Sequence, residues 1–519
     1  MIAFALALAI LAGGSPALQD LRVTNGSRPF AGDGRLLTTV SPNGDGLRDR
    51  AIVSFGLDRP ATVRLDVLRT DTLHPGRATK TIWSATRRFR AGRRQITWRP
   101  GRGTEPRTYV LRLRVGRRVY MNLPGKRRRA PVVRVQGIEA GFPRRSYAPG
   151  EVAELQISAD TASLRLQVFY YSGQVAPRNR DFKTAGTAMT SPVRIDWRAH
   201  RDGPGKLRFV RAGDWPSGLY FMRLTAADGR VGYAPFVVRR QAPRSRVAVV
   251  LSTNTWQAYN FWDANGDGWG DSWYVSPATR SVDLARPFLD FGVPYRFRDW
   301  DLDFIAWLNR TGKQVDFLSD DDVAAFSNGD QLAEAYDLVV FPGHAEYVTE
   351  HAYDVVQRFR DLGGNLMFLA ANNFFWKVRR DGQLLTRVGL WRRLGRPEAA
   401  LVGVQYAASD YGARQAGYVV QAAATAPWAF AGTGLSDGDR FGRYGIEIDA
   451  RAASSPAGIQ LLASIPDLMG PGRSAEMTYY ETPRGAKVFA AGTLNFTASI
   501  GEPAVSQLVE NVWARLSRP

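Results

Sequence analysis

Along the first half of the chain, apolar and polar residues alternate with a period of two. Residues 51–57 (AIVSFGL), 61–67 (ATVRLDV) and 108–115 (TYVLRLRV) put apolar side chains on one face and polar ones on the other. Gly, Pro and Asp interrupt this pattern roughly every 8–12 residues, the rhythm of an all-β sandwich, and predict one over residues 28–125. Residues 126–131 (KRRRAP) read as a linker. The same alternation at 153–157, 164–170 and 218–224 predicts a second sandwich over 131–241.

At residue 246 the pattern changes. Residues 247–251 (VAVVL) and 336–341 (YDLVVF) are near-continuous apolar runs, as in strands covered on both faces. Residues 302–308 read as helix and 315–318 as strand, and an amphipathic helix over 352–362 is closed by Gly363 and Gly364. Further strands follow at 365–370, 476–480 and 486–490, with a closing helix at 504–516. This alternation predicts an α/β domain with a mostly parallel sheet over 244–519. In such sheets ligands bind beyond the carboxyl ends of the strands. The segments at those ends are 252–260 (STNTWQAYN), 342–347 (PGHAEY), 371–376 (ANNFFW) and Glu481, and they gather residues able to ligate a metal or move a proton.

The length of 519 residues accommodates about three domains at roughly 150 residues each. The absence of cysteine excludes disulfides, thiolate metal sites and a Cys nucleophile. The net charge of +21 is uneven. Residues 1–243 hold 43 Lys/Arg against 17 Asp/Glu, with 39 of the bases Arg, whereas residues 244–519 hold 26 against 31. An Arg-rich face suits an anionic envelope polymer or, more blandly, solvated strands, and no nucleic-acid motif accompanies it, so no nucleic acid is expected. Residues 2–12 (IAFALALAILA) are too short an apolar run to span a bilayer and lead into Ser15 and Ala17, so residues 1–17 read as a signal peptide and the chain as secreted or cell-surface. No other stretch is long and apolar enough for a transmembrane span.

Two acidic loops have the spacing of cation sites. Asp263, Asn265, Asp267 and Asp271 stand at positions 1, 3, 5 and 9 of a calcium-loop pattern with Gly268 at the sixth, and Trp269 offers its carbonyl at the seventh; Tyr274 stands where the usual last carboxylate would be. Asn43, Asp45 and Asp49, within SPNGDGLRD, could likewise donate oxygens to calcium or form a capped polar turn. The segment SPNGDGLRD followed by DRPATVRLDVL resembles Ig-like modules of bacterial surface and flagellar-hook-cap proteins.

Six motifs carry a second resemblance: NTWQAYN at 254–260, the pair Trp273-Tyr274, WLNRTGKQVDFLSD at 307–320, YDLVVFPGHAEY at 336–347, LGGNLMFLAANNFFWKVR at 362–379 and GAKVFAAGTLNF at 485–496. In this order they resemble the C-terminal domain of the N,N-dimethylformamidase large subunit, whose fold is similar to class I glutamine amidotransferases. The resemblance implies a mononuclear ferric iron held by Tyr259, Tyr274 and Glu346, with Tyr295 as the alternative to Tyr274. Phenolate and carboxylate are hard anionic donors suited to such an ion. It also implies Glu481 as general base, with His344 and Asn372 orienting substrate or stabilising an oxyanion. Around Trp391-Arg392-Arg393 the chain offers arginine where the family has a site lysine, which argues against dimethylformamide itself as substrate. Two functions follow as expectations: a secreted iron-dependent amidohydrolase acting on an unknown small amide, or a non-catalytic, calcium-stabilised surface protein that binds an envelope glycan.

Overall fold

The computed structural model describes residues 15–70, 79–171, 186–274 and 279–517. The expected signal peptide lies outside them except for residues 15–17. The chain divides into two compact units: Met1–Gln136 with Asp263–Gly270, and Gly137–Trp262 with Asp271–Pro519.

Among the described residues, the first unit holds two sheets. Leu18–Thr24, Ala51–Leu57 and Gly92–Trp98 form one antiparallel sheet. The other runs Leu37–Val40, Val132–Val135, Arg107–Val115, Ala61–Arg69, Lys80–Phe89, with Arg118–Tyr120 also paired to Arg107–Val115. Burial along Ala51–Leu57 follows the alternation read from sequence, and Val53 and Phe55 share one apolar core with Val63, Leu65 and Leu111 of the second sheet. At the edge, Lys80–Phe89 leaves most of its side chains in solvent.

In the second unit, Ile138–Gly141, Val152–Ala159 and Gly205–Arg211 form a small antiparallel sheet. It shares a core with a sheet built on Ser163–Tyr171, Gly218–Ala226 and Val231–Val238. The opposite face of that second sheet is also apolar. Phe169, Tyr171, Leu219, Phe221 and Tyr233 join Trp256, Phe297 and Phe317 in one continuous core.

That core underlies a nine-stranded sheet in the order Asp316–Ser319, Val247–Leu251, Leu338–Phe341, Asn365–Phe368, Lys487–Ala490, Ala475–Glu481, Gln460–Ile465, Gln415–Val420, Arg440–Gly445. The first five strands pair in parallel. The remaining pairings are antiparallel. Helices Leu302–Arg310 and Pro503–Leu516 cover one face, and Glu350–Asp361 and Gly329–Ala335 the other. Thr349 caps Glu350–Asp361 by accepting from Ala352 N at 3.3 Å, and Gly363 ends it in the left-handed conformation.

The expected α/β domain with a mostly parallel sheet is therefore corrected. Strands make up 40% of the structure and helix 16%, and the large sheet is mixed. An apolar run marks a strand covered on both faces but carries no information about its direction. Direction depends on the connection: a parallel pair needs a long crossover, whereas an antiparallel pair needs only a turn. Ala475–Glu481 returns to Lys487–Ala490 through such a turn, closed by Thr482 N donating to Ala486 O at 2.8 Å. Among the described residues, no helix is long and apolar enough to cross a membrane.

Candidate active site

The parallel strands deliver their following loops to one edge of the mixed sheet. Val247–Leu251 leads into the short helix Thr253–Ala258, and Tyr259 stands at that helix's C-cap. Leu338–Phe341 leads into the loop carrying His344 and Glu346, and Asn365–Phe368 into the loop carrying Asn372. From the antiparallel pair Gln405–Ser409 and Glu447–Ala450 come two carboxylates absent from the sequence-based set, Glu447 and Asp449. Glu447–Ala450 reaches this edge because Asp449 N donates to Gly492 O at 2.9 Å and Leu494 N to Glu447 O at 3.1 Å, just past Lys487–Ala490.

These side chains converge out of contact with bulk water. His344 is 1% exposed and Glu346 4%. The Tyr259 hydroxyl donates to the Glu346 carboxylate and lies 3.1 Å from His344 Nε2. His344 Nδ1 donates to Ala371 O at 3.0 Å, which turns Nε2 toward Glu346 at 3.3 Å and Glu447 at 3.8 Å. Burial alone would lower the His344 pKa, but the hydrogen bond to Glu346 and the charges of Glu447 and Glu346 outweigh it and raise it to about 9. Burial pushes the Glu447 carboxyl upward; His344 opposes the shift and Glu346 reinforces it. Burial, and then the Glu346 charge, push the Tyr259 phenol well above its ordinary value, so it keeps its proton and donates it in a hydrogen bond.

Asn372 ties the loops together. It adopts a left-handed conformation (φ 58°), unusual for a residue with a side chain. Its backbone N donates to both oxygens of buried Asp449 at 2.9 Å. Its Nδ2 donates to Glu447 at 2.9 Å and, more weakly, to Glu346 at 3.4 Å. Its Oδ1 is buried without a protein partner. Aromatic rings wall the cluster: Trp300 lies 5.2 Å from His344, Tyr274 5.1 Å from Tyr259, and Tyr295 5.4 Å from Tyr274, between ring centroids.

Tyr259, Tyr274, Glu346, His344 and Asn372 thus share one neighbourhood, with Tyr295 beside them. Glu481 does not. Its strand is antiparallel to Lys487–Ala490, so its carboxyl end falls at the opposite sheet edge, where Glu481 pairs with Lys487 and, half-exposed, bridges Arg515 at 2.9 Å. Glu447 and Asp449 went unseen in sequence because they alternate with Ile448 in an ordinary strand pattern, far along the chain from Asn372.

The two acidic loops turn much of their oxygen inward. Asp263 accepts from Gly266 N at 2.8 Å, Asp267 N at 3.2 Å and Gly268 N at 2.8 Å, while Asn265 accepts from Asp267 N and Asp267 from Trp269 N. Asp271 belongs to the second unit, where its N donates to Trp262 O at 3.0 Å. In the other loop, Asp49 accepts from Gly44 N and Gly46 N, Asn43 from Asp45 N, and Asp45 from Leu47 N. Among the described residues, no group of three His, Cys, Asp or Glu side chains is arranged to hold a metal.

A family model described as "N,N-dimethylformamidase beta subunit-like, C-terminal" matches residues 170–507. The chain belongs to this family. The match begins inside Ser163–Tyr171, well ahead of residue 244, and so takes in strands that share the core of the large sheet. An N,N-dimethylformamidase beta subunit from Alcaligenes sp is 25% identical over 276 residues, covering 41% of this chain and 36% of that protein. The chain thus spans little more than a third of the curated relative it matches, and that relative is hydrolase-like. Solved structures also align in part, and three of them serve as examples. Escherichia coli alpha-2-macroglobulin activated by porcine elastase is 12% identical over 43% of this chain and 20% of that one, with a TM-score of 0.16. CBD12 from CALX1.2 is 9% identical over 37% and 79%, with a TM-score of 0.15. Red sea bream transglutaminase is 12% identical over 43% and 31%, also with a TM-score of 0.15. At such scores these likenesses carry no argument.

Proposed function

We propose that the chain hydrolyses a C–N amide bond in a small substrate, using a mononuclear ferric iron held by Tyr259, Glu346 and a second tyrosine, Tyr274. The observation that carries this reading is the buried cluster in which a phenol, two carboxylates and an imidazole meet, with Asn372 Oδ1 left unpartnered. Two carboxylates around one imidazole leave the pocket short of positive charge, and hard oxygen donors dominate it, so a trivalent cation fits the residues present. Bound there, the metal would polarise the amide carbonyl and acidify water.

The remaining roles belong to the chain's own groups. Asn372, held by Asp449, presents its unpartnered Oδ1 as an acceptor for an N–H of the substrate and so orients it. His344 is fixed in orientation by Ala371 O and presents Nε2 to developing negative charge. Glu447, with its raised pKa, is suited to take a proton from water and return it to the leaving nitrogen. The aromatic wall keeps bulk water from the reacting bond.

Elemental analysis of the full chain, expressed with ample iron, tests the proposal. About one iron per chain and a visible tyrosinate charge-transfer band are the expected result. Glu346→Ala should lose the metal. Glu447→Gln should keep it and lower amine release from a panel of linear amides by about 100-fold or more. A colourless protein containing calcium and no transition metal would sink the proposal and favour a non-catalytic surface protein.

A further inference from the structure

The first unit holds 27 Lys/Arg against 10 Asp/Glu, a net charge of +17 that draws anions toward it. Much of that charge is spread over strands, but one part of it converges. The turn between Arg118–Tyr120 and Val132–Val135 carries Arg127, Arg128 and Arg129 in succession. Asn122 locks this turn: its Oδ1 accepts from Arg129 N at 2.8 Å and Ala130 N at 2.9 Å, and its Nδ2 donates to Ala130 O at 3.0 Å. Gly125 N donates to Asp267 Oδ2 at 2.8 Å within the same unit. From the segment ahead of Leu37–Val40 comes Arg35, whose Nε donates to Leu21 O at 3.1 Å. With Gly34 and Leu36, these four arginines line an open cavity of about 680 Å³.

Elsewhere in this unit arginines find carboxylates: Arg64 and Arg112 flank buried Asp66, and Arg69 reaches Glu105 at 2.6 Å. Among the described residues, no carboxylate pairs with Arg35, Arg127, Arg128 or Arg129. Each guanidinium is a planar fork of N–H donors. A carboxylate has two oxygens and one charge, enough for one fork; a chain of phosphates repeats two free oxygens and a charge at every phosphorus, so successive units can each meet a fork. The volume lies within the range of about 300–1,000 Å³ usual for ligand sites. Concavity favours a thin chain over a flat lipid surface.

We propose that this cavity binds a soluble linear phosphate polymer, whose successive phosphates engage Arg127, Arg128 and Arg129 opposite Arg35. The locked turn holds the guanidinium bases in place before binding, so little backbone ordering is left to oppose association.

Inorganic polyphosphate titrated into the full chain at physiological ionic strength tests this. The triple variant Arg127→Gln, Arg128→Gln, Arg129→Gln should weaken binding about tenfold or more, while Arg87→Gln, Arg88→Gln, Arg90→Gln, an equal loss of charge on and beside the exposed strand Lys80–Phe89, should weaken it less than about threefold. Both triples should melt at the wild-type temperature. If the cavity triple fails to fold, Arg35→Gln on the facing wall replaces it, with a loss of about threefold expected. Equal losses in both triples, an unaffected Arg35→Gln variant, no binding by the wild type, or binding to phosphatidylglycerol vesicles in place of polyphosphate would each overturn the proposal.

Discussion

Asp301 illustrates what burial does to a single carboxyl at this site. It is 1% exposed, its Oδ2 accepts from Trp256 Nε1 at 3.1 Å, and its Oδ1 has no hydrogen-bond partner. Burial lifts its pKa to about 7, against the stabilising hydrogen bond from Trp256 and the charge of His344. An acid whose pKa is raised by folding holds its proton more tightly in the folded state. Its contribution to stability is therefore lost as pH rises from about 4, the unfolded value, through about 7. Asp301→Asn should remove this component, so urea midpoints at pH 5 and pH 8 should differ less in the variant than in the wild type. An unchanged difference would remove Asp301 as the source. Legibility at this scale was uneven for the same physical reason. His344 and Glu346 stand out in sequence because a Pro-Gly loop after an apolar run must lie at a strand end. Nothing local distinguishes Glu447 or Asp449 from the outward-facing residues of a half-exposed strand.

Among the elements, strand direction decides function. Placing Glu481 at the same sheet edge as His344 follows from expecting its strand to run parallel to its neighbours, and the family resemblance implied its role as general base. In the mixed sheet, the same residue sits at the far edge and pairs with Arg515 in solvent. Glu481→Ala should therefore leave metal content and turnover at wild-type levels and change stability by no more than about 1 kcal/mol, as for other exposed ion pairs. A loss of turnover comparable to that of Glu447→Gln would restore Glu481 to the chemistry. The helix over 352–362, by contrast, was legible nearly to its ends. Its amphipathic period and Gly363 are local signals, and the observed span Glu350–Asp361 differs only at the frayed termini.

Within the second unit, the strands Ser163–Tyr171, Gly218–Ala226 and Val231–Val238 share a core with the large sheet. Phe169, Tyr171, Leu219 and Phe221 bury the apolar face that Trp256 and Phe297 present, and Trp256 in turn holds Asp301. Burying each large apolar side chain contributes about 1.5–3 kcal/mol, so losing these four contributions costs an amount comparable to the total stability of a typical domain. A chain comprising residues 244–519 should be insoluble or lack a cooperative melt, whereas residues 137–519 should fold. A cooperative transition in the shorter chain would show that the two layers are independent.

Taken alone, the sequence determined what is local or compositional. This includes the period-two strands, the capped helix, the exclusion of thiol chemistry, the charge asymmetry, the family resemblance and the polar loops after apolar runs. Only the tertiary structure decided which strands run antiparallel, which apolar faces share a core, and which distant carboxylates join His344. Strand direction and partner choice depend on connections and packing between segments remote in the chain, and no periodicity within a segment encodes them.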